Sequence, residues 1–147
     1  MSERAAAQSR DEADLDDLMA RARAAREHAY APYSRFRVGA AVSTDRGIFA
    51  GANVENASYG LSICAERVAA STAVAAGARR IHAVAVTSSA AWPASPCGAC
   101  RQFLYEFGAD MTVVSEGTDG TRKVWALSEL LVDGFGRSDL ESAGSDT

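Results

Sequence analysis

Ile81-His82-Ala83-Val84-Ala85-Val86-Thr87 is the stretch on which the fold turns. Its aliphatic side chains run almost unbroken over the length of one strand, as in a strand covered on both faces. A Ser/Ala/Pro loop over 88–96 follows, then a helix from about Cys97 to Phe107, then a second aliphatic strand at Met111 to Ser115. Strand, helix and strand in that order predict a parallel pair joined by a right-handed crossover.

Downstream, Thr118-Asp119-Gly120-Thr121 turns the chain into a last strand, Lys123 to Leu127, antiparallel to its neighbour because the link is short. Ser128 is placed to N-cap a short helix through Leu131. Upstream, Ile63 to Ala76 is an Ala-rich helix closed by Gly77. Before it, Val38 to Thr44 and Ile48 to Val54 form a hairpin around Asp45-Arg46-Gly47. Leu15, Leu18, Met19, Ala22, Ala25 and Ala29 recur at helical spacing, so an amphipathic helix runs from Asp11 to about Ala29, before Pro32. These elements predict an α/β fold: a five-stranded mixed sheet with helices on both faces, in a three-layer α/β/α domain spanning residues 11–136. Residues 1–10 and the polar tail 137–147 lack an apolar stripe and are expected to be disordered.

A chain of 147 residues, 48% apolar, is one globular domain with room for a real core. Fifteen Lys and Arg against nineteen Asp and Glu leave a net charge of −4, which argues against a polynucleotide partner. No apolar run reaches the length of a membrane span, and the polar N-terminus lacks the apolar segment of a signal peptide, so the expected compartment is the cytoplasm. Three cysteines there favour metal or redox chemistry over a disulfide framework.

All three lie in Cys64-Ala65-Glu66 and Pro96-Cys97-Gly98-Ala99-Cys100. Cys97 and Cys100 are one helical turn apart and face the same way, and Cys64 arrives at the start of another helix. Three thiolates can hold one Zn²⁺ and leave its fourth tetrahedral position open, the arrangement of a catalytic zinc. The two helix N-termini help keep the sulfurs ionised. Zn²⁺ with three thiolates carries −1, so a further positive group is needed, and Arg67 is the first candidate with Arg101 beside it. Glu66, two residues from a ligand, is positioned to serve as the proton-transferring carboxylate beside the open position. His28 and His82 have no ligand-like spacing and read as ordinary histidines. A closed structural zinc would lack its fourth ligand, and a thiol redox pair would leave Cys64 and Glu66 unexplained.

The two cysteine segments match the H-x-E…P-C-x-x-C signature of zinc deaminases, with Cys as first ligand. Together with Ala31-Pro32-Tyr33-Ser34-x-Phe36-x-Val38-Gly39-Ala40-Ala41 and Asn53-Val54-Glu55-Asn56-Ala57-Ser58-Tyr59-Gly60, the chain closely resembles the small cytidine deaminases of pyrimidine salvage. That resemblance implies hydrolytic deamination of cytidine and 2′-deoxycytidine to uridine and 2′-deoxyuridine, with zinc-bound hydroxide attacking C4 and Glu66 shuttling the proton to N3 and the departing ammonia. It implies one Zn²⁺ per subunit. Substrate-binding roles fall on Phe36 as the stacking ring, on Asn53 and Glu55 at the ribose hydroxyls, and on the Ala65 amide at the pyrimidine carbonyl. It further implies a homotetramer in which Tyr59 and Phe135 lie at or reach a neighbouring site.

Around Phe135 the chain departs from its relatives, reading Leu131-Val132-Asp133-Gly134-Phe135 where they commonly have Leu-Pro-Gly-Ala-Phe. Trp92, in the loop before the second motif, has no assigned role. Two rival functions remain: an aminohydrolase of the blasticidin S deaminase type, and a zinc-stabilised binding protein without catalysis. Asn53, Glu55 and Phe36 favour a plain nucleoside over the first, and Glu66 disfavours the second.

Overall fold

The computed structural model describes residues 2–144. It contains α1 (Glu3–Arg26), β1 (Val38–Thr44), β2 (Gly47–Ala52), a 3₁₀ turn (Tyr59–Leu61), α2 (Ala65–Ala75), β3 (Ile81–Ser88), α3 (Gly98–Tyr105), β4 (Thr112–Glu116), β5 (Arg122–Ala126), α4 (Leu127–Leu130) and α5 (Arg137–Ala143). One five-stranded sheet has the order β2-β1-β3-β4-β5. β3 and β4 are parallel, as the crossover requires; β1–β2 and β4–β5 are antiparallel, as their short links require, and β1 also pairs antiparallel with β3.

Alternation along the strands divides the core into two layers. Ala40, Val42, Val84, Val86 and Val113 face Ala65, Ala69, Ala70 and Ala73 of α2 and Leu104 of α3. Ala41, Ala85 and Val114 face Leu18, Met19 and Ala22 of α1 on the opposite side. The alanines of α2 let the helix approach the sheet closely: a Cβ on Gly51 of β2 would stand 2.6 Å from the Ala69 nitrogen. This seating fixes where the N-terminus of α2 points.

Leu15, Leu18, Met19 and Ala22 supply the buried stripe of α1, which ends at Arg26 rather than running to Ala29. The chain leaves the helix because Tyr30 pairs with the segment after β2. Its N–H donates to the Asn53 carbonyl at 3.0 Å, and its carbonyl accepts the Glu55 N–H at 2.8 Å. Two terminal segments expected to be disordered are helical as far as they are described: residues 3–10 extend α1, and α5 follows Gly136. Ser2 caps the first through its hydroxyl, which accepts the Ala5 N–H at 3.2 Å. The second is started by Asp139, whose carboxylate accepts the Gly136 N–H at 2.8 Å. These are local end contacts that an apolar-stripe criterion does not detect. Residues 145–147 of the expected tail lie outside the described residues. Ser128 is not the cap of α4; Ala126 holds that position, and the Glu129 carboxylate accepts its N–H at 3.0 Å.

Candidate active site

Cys64 and Cys97 are the N-cap residues of α2 and α3, with extended backbones at φ −70°, ψ 151° and φ −65°, ψ 166°. Neither side chain caps its own helix, so both sulfurs are free to meet in front of the two N-termini. Cys100, fully buried in the first turn of α3, completes the group. The Cys64 and Cys97 sulfurs are 3.7 Å apart, those of Cys97 and Cys100 3.5 Å, and all three lie within 4.8 Å of one another. Sulfurs at the usual zinc distance of about 2.3 Å on a tetrahedron are about 3.8 Å apart, so the Cys64–Cys97 and Cys97–Cys100 separations match zinc coordination closely and the triad fits the ion. Among the described residues this is the one cluster of potential metal ligands, and neither histidine joins it.

Charge in the site favours a thiolate at Cys64. As free thiols the sulfurs share protons: the hydrogen bond from Cys100 lowers Cys64 to about 5, with help from Arg67, and raises Cys100. Arg67 Nη2 lies 3.7 Å from the Cys64 sulfur, while its buried Nε has no hydrogen-bond partner among the described residues. Arg101 does not turn to the sulfurs as its sequence position suggested. Its guanidinium donates to the Pro96 carbonyl at 2.8 Å, the Leu130 carbonyl at 2.7 Å and Ser95 Oγ at 3.0 Å, tying the Cys97 loop to α4. An arginine this close in sequence to a ligand cannot be assigned to sulfur or backbone from its position alone.

Glu66 is 4% exposed. Burial holds its carboxyl above the usual range. Together with Cys64 and Cys97 it lines a cavity of about 270 Å³, whose walls also include Phe36, Asn53 and Glu55. The same cavity is bounded by Val38, Val86 and Ser88 from the sheet and by Ser62 and Ser95 from the loops, residues given no site role in the sequence because short aliphatic and hydroxyl side chains do not announce one. Ala65, buried, is the first residue of α2, where a helix leaves backbone N–H groups without intrahelical acceptors.

Asn53 and Glu55, two apart on an extended segment, both face the cavity, but each is also bonded to the 33–38 loop. Asn53 Oδ1 accepts the Val38 N–H and its Nδ2 donates to the Phe36 carbonyl, both at 2.8 Å. Glu55 Oε1 accepts the Tyr33 and Ser34 N–H groups at 3.0 and 3.1 Å, and Oε2 accepts the Ser34 hydroxyl at 2.5 Å. Tyr59 and Phe135 do not line the cavity that holds Glu66. Tyr59 packs edge-on to Tyr33, ring centroids 5.8 Å apart, beside an adjoining hollow that also borders Glu55. Phe135 is held through its carbonyl by Gln102 at 2.8 Å and leaves its ring exposed. Trp92 projects from its loop and lines none of these cavities.

A three-layer α/β domain that brings three cysteines and a buried glutamate to two helix N-termini is a zinc-binding domain of deaminase type. Residues 12–116 match the family model for the cytidine and deoxycytidylate deaminase zinc-binding region, and the chain belongs to that family. It is 42% identical over 132 residues to a cytidine deaminase of Sporosarcina psychrophila, covering 88% of this chain and 97% of that one. It is 45% identical to a cytidine deaminase of Halalkalibacterium halodurans, covering 86% and 98% of the two chains. Among solved structures, a cytidine deaminase from Burkholderia pseudomallei superposes with a TM-score of 0.78 at 49% identity, covering 82% of this chain and 98% of that chain. No described helix is long and apolar enough to cross a membrane.

Proposed function

We propose that this protein hydrolyses cytidine and 2′-deoxycytidine to uridine and 2′-deoxyuridine, releasing ammonia. The observation that carries this reading is the buried Glu66 beside three sulfurs spaced for zinc, in a cavity walled by Phe36, Asn53 and Glu55. Cys64, Cys97 and Cys100 would hold the ion, which when bound supplies a Lewis acid that makes water nucleophilic near neutral pH.

Glu66 does the proton work. Its carboxylate takes a proton from the water that adds to C4 and delivers it to N3, and the remaining hydroxyl proton passes by the same carboxylate to the exocyclic amine. The C4–N4 bond breaks and ammonia leaves, giving the uracil carbonyl. Burial raises the Glu66 carboxyl and so strengthens it as a proton acceptor, as a group that takes a proton and hands it on requires. Phe36 stacks on the ring, the Ala65 amide meets the pyrimidine carbonyl, and Asn53 and Glu55 grip the sugar hydroxyls by donor and acceptor. Among the described residues no Lys or Arg lines the cavity while two carboxylates and two thiols do, which favours an uncharged nucleoside over its phosphate.

Residues 11–136 form the catalytic unit in this reading, and the chain assembles as a homotetramer in the cytoplasm. Exposed Tyr33, Tyr59, Leu61, Val132 and Phe135, each at least 49% open to solvent, supply the apolar surface that assembly would bury, with Tyr59 and Phe135 at or reaching a neighbouring site. The test is spectroscopic. Purified protein is mixed with cytidine, deoxycytidine and cytidine monophosphate, with and without a chelator, and ultraviolet absorbance and ammonia are followed. The nucleosides should be converted with one ammonia per turnover, the monophosphate more slowly, and chelation should stop the reaction. Absence of change with either nucleoside would overturn the assignment.

A further inference from the structure

We propose that Ser34 is a positioning residue for this reaction: its hydroxyl joins the Glu55 carboxylate to the backbone of Phe36, so that the sugar grip and the stacking ring are set as one unit. The hydroxyl has one proton, and it goes to Glu55 Oε2 at 2.5 Å. The Ser34 oxygen accepts the Phe36 N–H at 3.0 Å. A directional chain therefore runs from the Phe36 amide through Ser34 to Glu55, and each bond polarises the next.

The lone pairs of Glu55 are unevenly occupied. Oε1 already accepts two backbone N–H groups, from Tyr33 and Ser34, whereas Oε2 accepts the Ser34 hydroxyl. The remaining capacity is on Oε2, and Ser34 decides its direction. Ser34 also favours the ionised form, since its two bonds are the main reason the Glu55 carboxyl lies below the usual range. Between Ser34 and Phe36, Arg35 adopts a left-handed backbone at φ 59°, a conformation that persists only where its surroundings hold it. They do so on both sides. The Arg35 N–H donates to the Ala31 carbonyl at 3.0 Å, and Asn53 clamps the far side of Phe36 through its carbonyl.

This rests on Glu55 binding a sugar hydroxyl, and the experiment separates the two. Ser34→Ala, Ser34→Cys, Ser34→Thr and Glu55→Gln are each assayed with cytidine and with 3′-deoxycytidine, with zinc content and thermal unfolding as folding controls. Loss of a charge-assisted bond predicts a KM for cytidine about tenfold higher in Ser34→Ala, with kcat within about twofold. KM for 3′-deoxycytidine should rise by no more than about threefold, because that substrate lacks the 3′-hydroxyl this reading gives to Glu55 and feels only the change at the Phe36 ring. Ser34→Thr should restore KM to within about threefold, and Ser34→Cys, a weaker donor, should fall between, which keeps the test open if the alanine variant does not fold. Equal losses on both substrates would reduce Ser34 to a loop-shaping residue and overturn the proposal. So would an unchanged KM in Ser34→Ala when Glu55→Gln discriminates the substrates. If Glu55→Gln itself fails to discriminate them, the sugar role of Glu55 falls, and the proposal with it.

Discussion

Cys64 and Cys97 hold the same position in two different helices, the N-cap, and their sulfurs stand 3.7 Å apart. The metal centre is therefore also the joint between α2 and α3, with Cys100 as its buried third arm. Removal of zinc should expose this joint. The zinc-loaded protein is expected to show no thiol that reacts rapidly with a disulfide reagent, and the chelated protein three, in step with loss of activity. Both changes should reverse on adding Zn²⁺. The apoprotein should also unfold at lower temperature, because ion binding is linked to folding of the elements it joins.

Arg67 is the near positive group, its Nη2 3.7 Å from the Cys64 sulfur, and its buried Nε has no hydrogen-bond partner among the described residues. Three thiolates on one Zn²⁺ leave an excess negative charge, which weakens the ion as a Lewis acid unless it is offset. Arg67→Gln should lower zinc affinity and turnover by about 10- to 100-fold, the usual cost of losing a group that orients and neutralises metal ligands. Unchanged zinc content and unchanged turnover would remove Arg67 from that role.

Glu66→Gln separates metal binding from proton transfer. The amide nearly matches the carboxylate in shape, so the cavity and zinc content should be kept. Turnover should fall by about 100- to 10,000-fold, the range that a positioned acid–base group contributes. Ammonia release measured against zinc content reads both quantities on one sample, and loss of zinc in this variant would mean that Glu66 also supports the metal.

The sheet was legible because aliphatic strands and short links leave few topologies: the pairing of β3 with β4 follows from the helix between them, and that of β1 with β2 from Asp45-Arg46. The zinc triad was legible because three cysteines in two motifs leave no other choice of sulfur ligands. What escaped was contact between side chain and backbone at a distance in sequence. The Arg101 fork to Leu130 and the Ser34 bond to Glu55 span 29 and 21 residues, and no periodicity encodes them. Asp133 shows the limit from another side. Its left-handed φ of 51° is a single-residue conformation that Asp tolerates but that no hydrophobic periodicity places.

Away from the site, Glu116 at the end of β4 binds Arg23 of α1 and, at 2.9 Å, Arg122 of β5, while Arg122 reaches Asp16 of α1 at 2.6 Å. Burial alone would raise the Glu116 carboxyl, but the two arginines outweigh it and hold it below its ordinary value. A carboxyl lowered in the folded state stabilises the protein above its unfolded pKa, and that contribution is lost as pH falls through the folded value. Glu116→Gln should therefore cost about 1–2 kcal/mol at pH 7, for a mostly buried carboxylate with partly exposed partners. The difference from wild type should shrink as the pH is lowered below about 4. Urea unfolding of both proteins across that range measures it, and a difference independent of pH would assign the effect to packing.

Arg101 spends all three arms of its guanidinium on neutral acceptors: the carbonyls of Pro96 and Leu130 and the hydroxyl of Ser95. One acceptor immediately precedes Cys97 in the chain, another lies at the end of α4, and the third belongs to a wall of the cavity. A lysine preserves the charge but cannot reproduce a planar fork, so Arg101→Lys tests geometry rather than electrostatics. Two or more bonds are lost, which predicts destabilisation of about 2 kcal/mol. Freed from α4, the loop that carries Cys97 should also release zinc to a chromogenic chelator about tenfold faster. Arg101→Ala should be no better than the lysine variant. If Arg101→Lys released zinc at the wild-type rate while Arg101→Ala released it faster, the charge of Arg101, and not its three-way tie, would be what holds the metal loop.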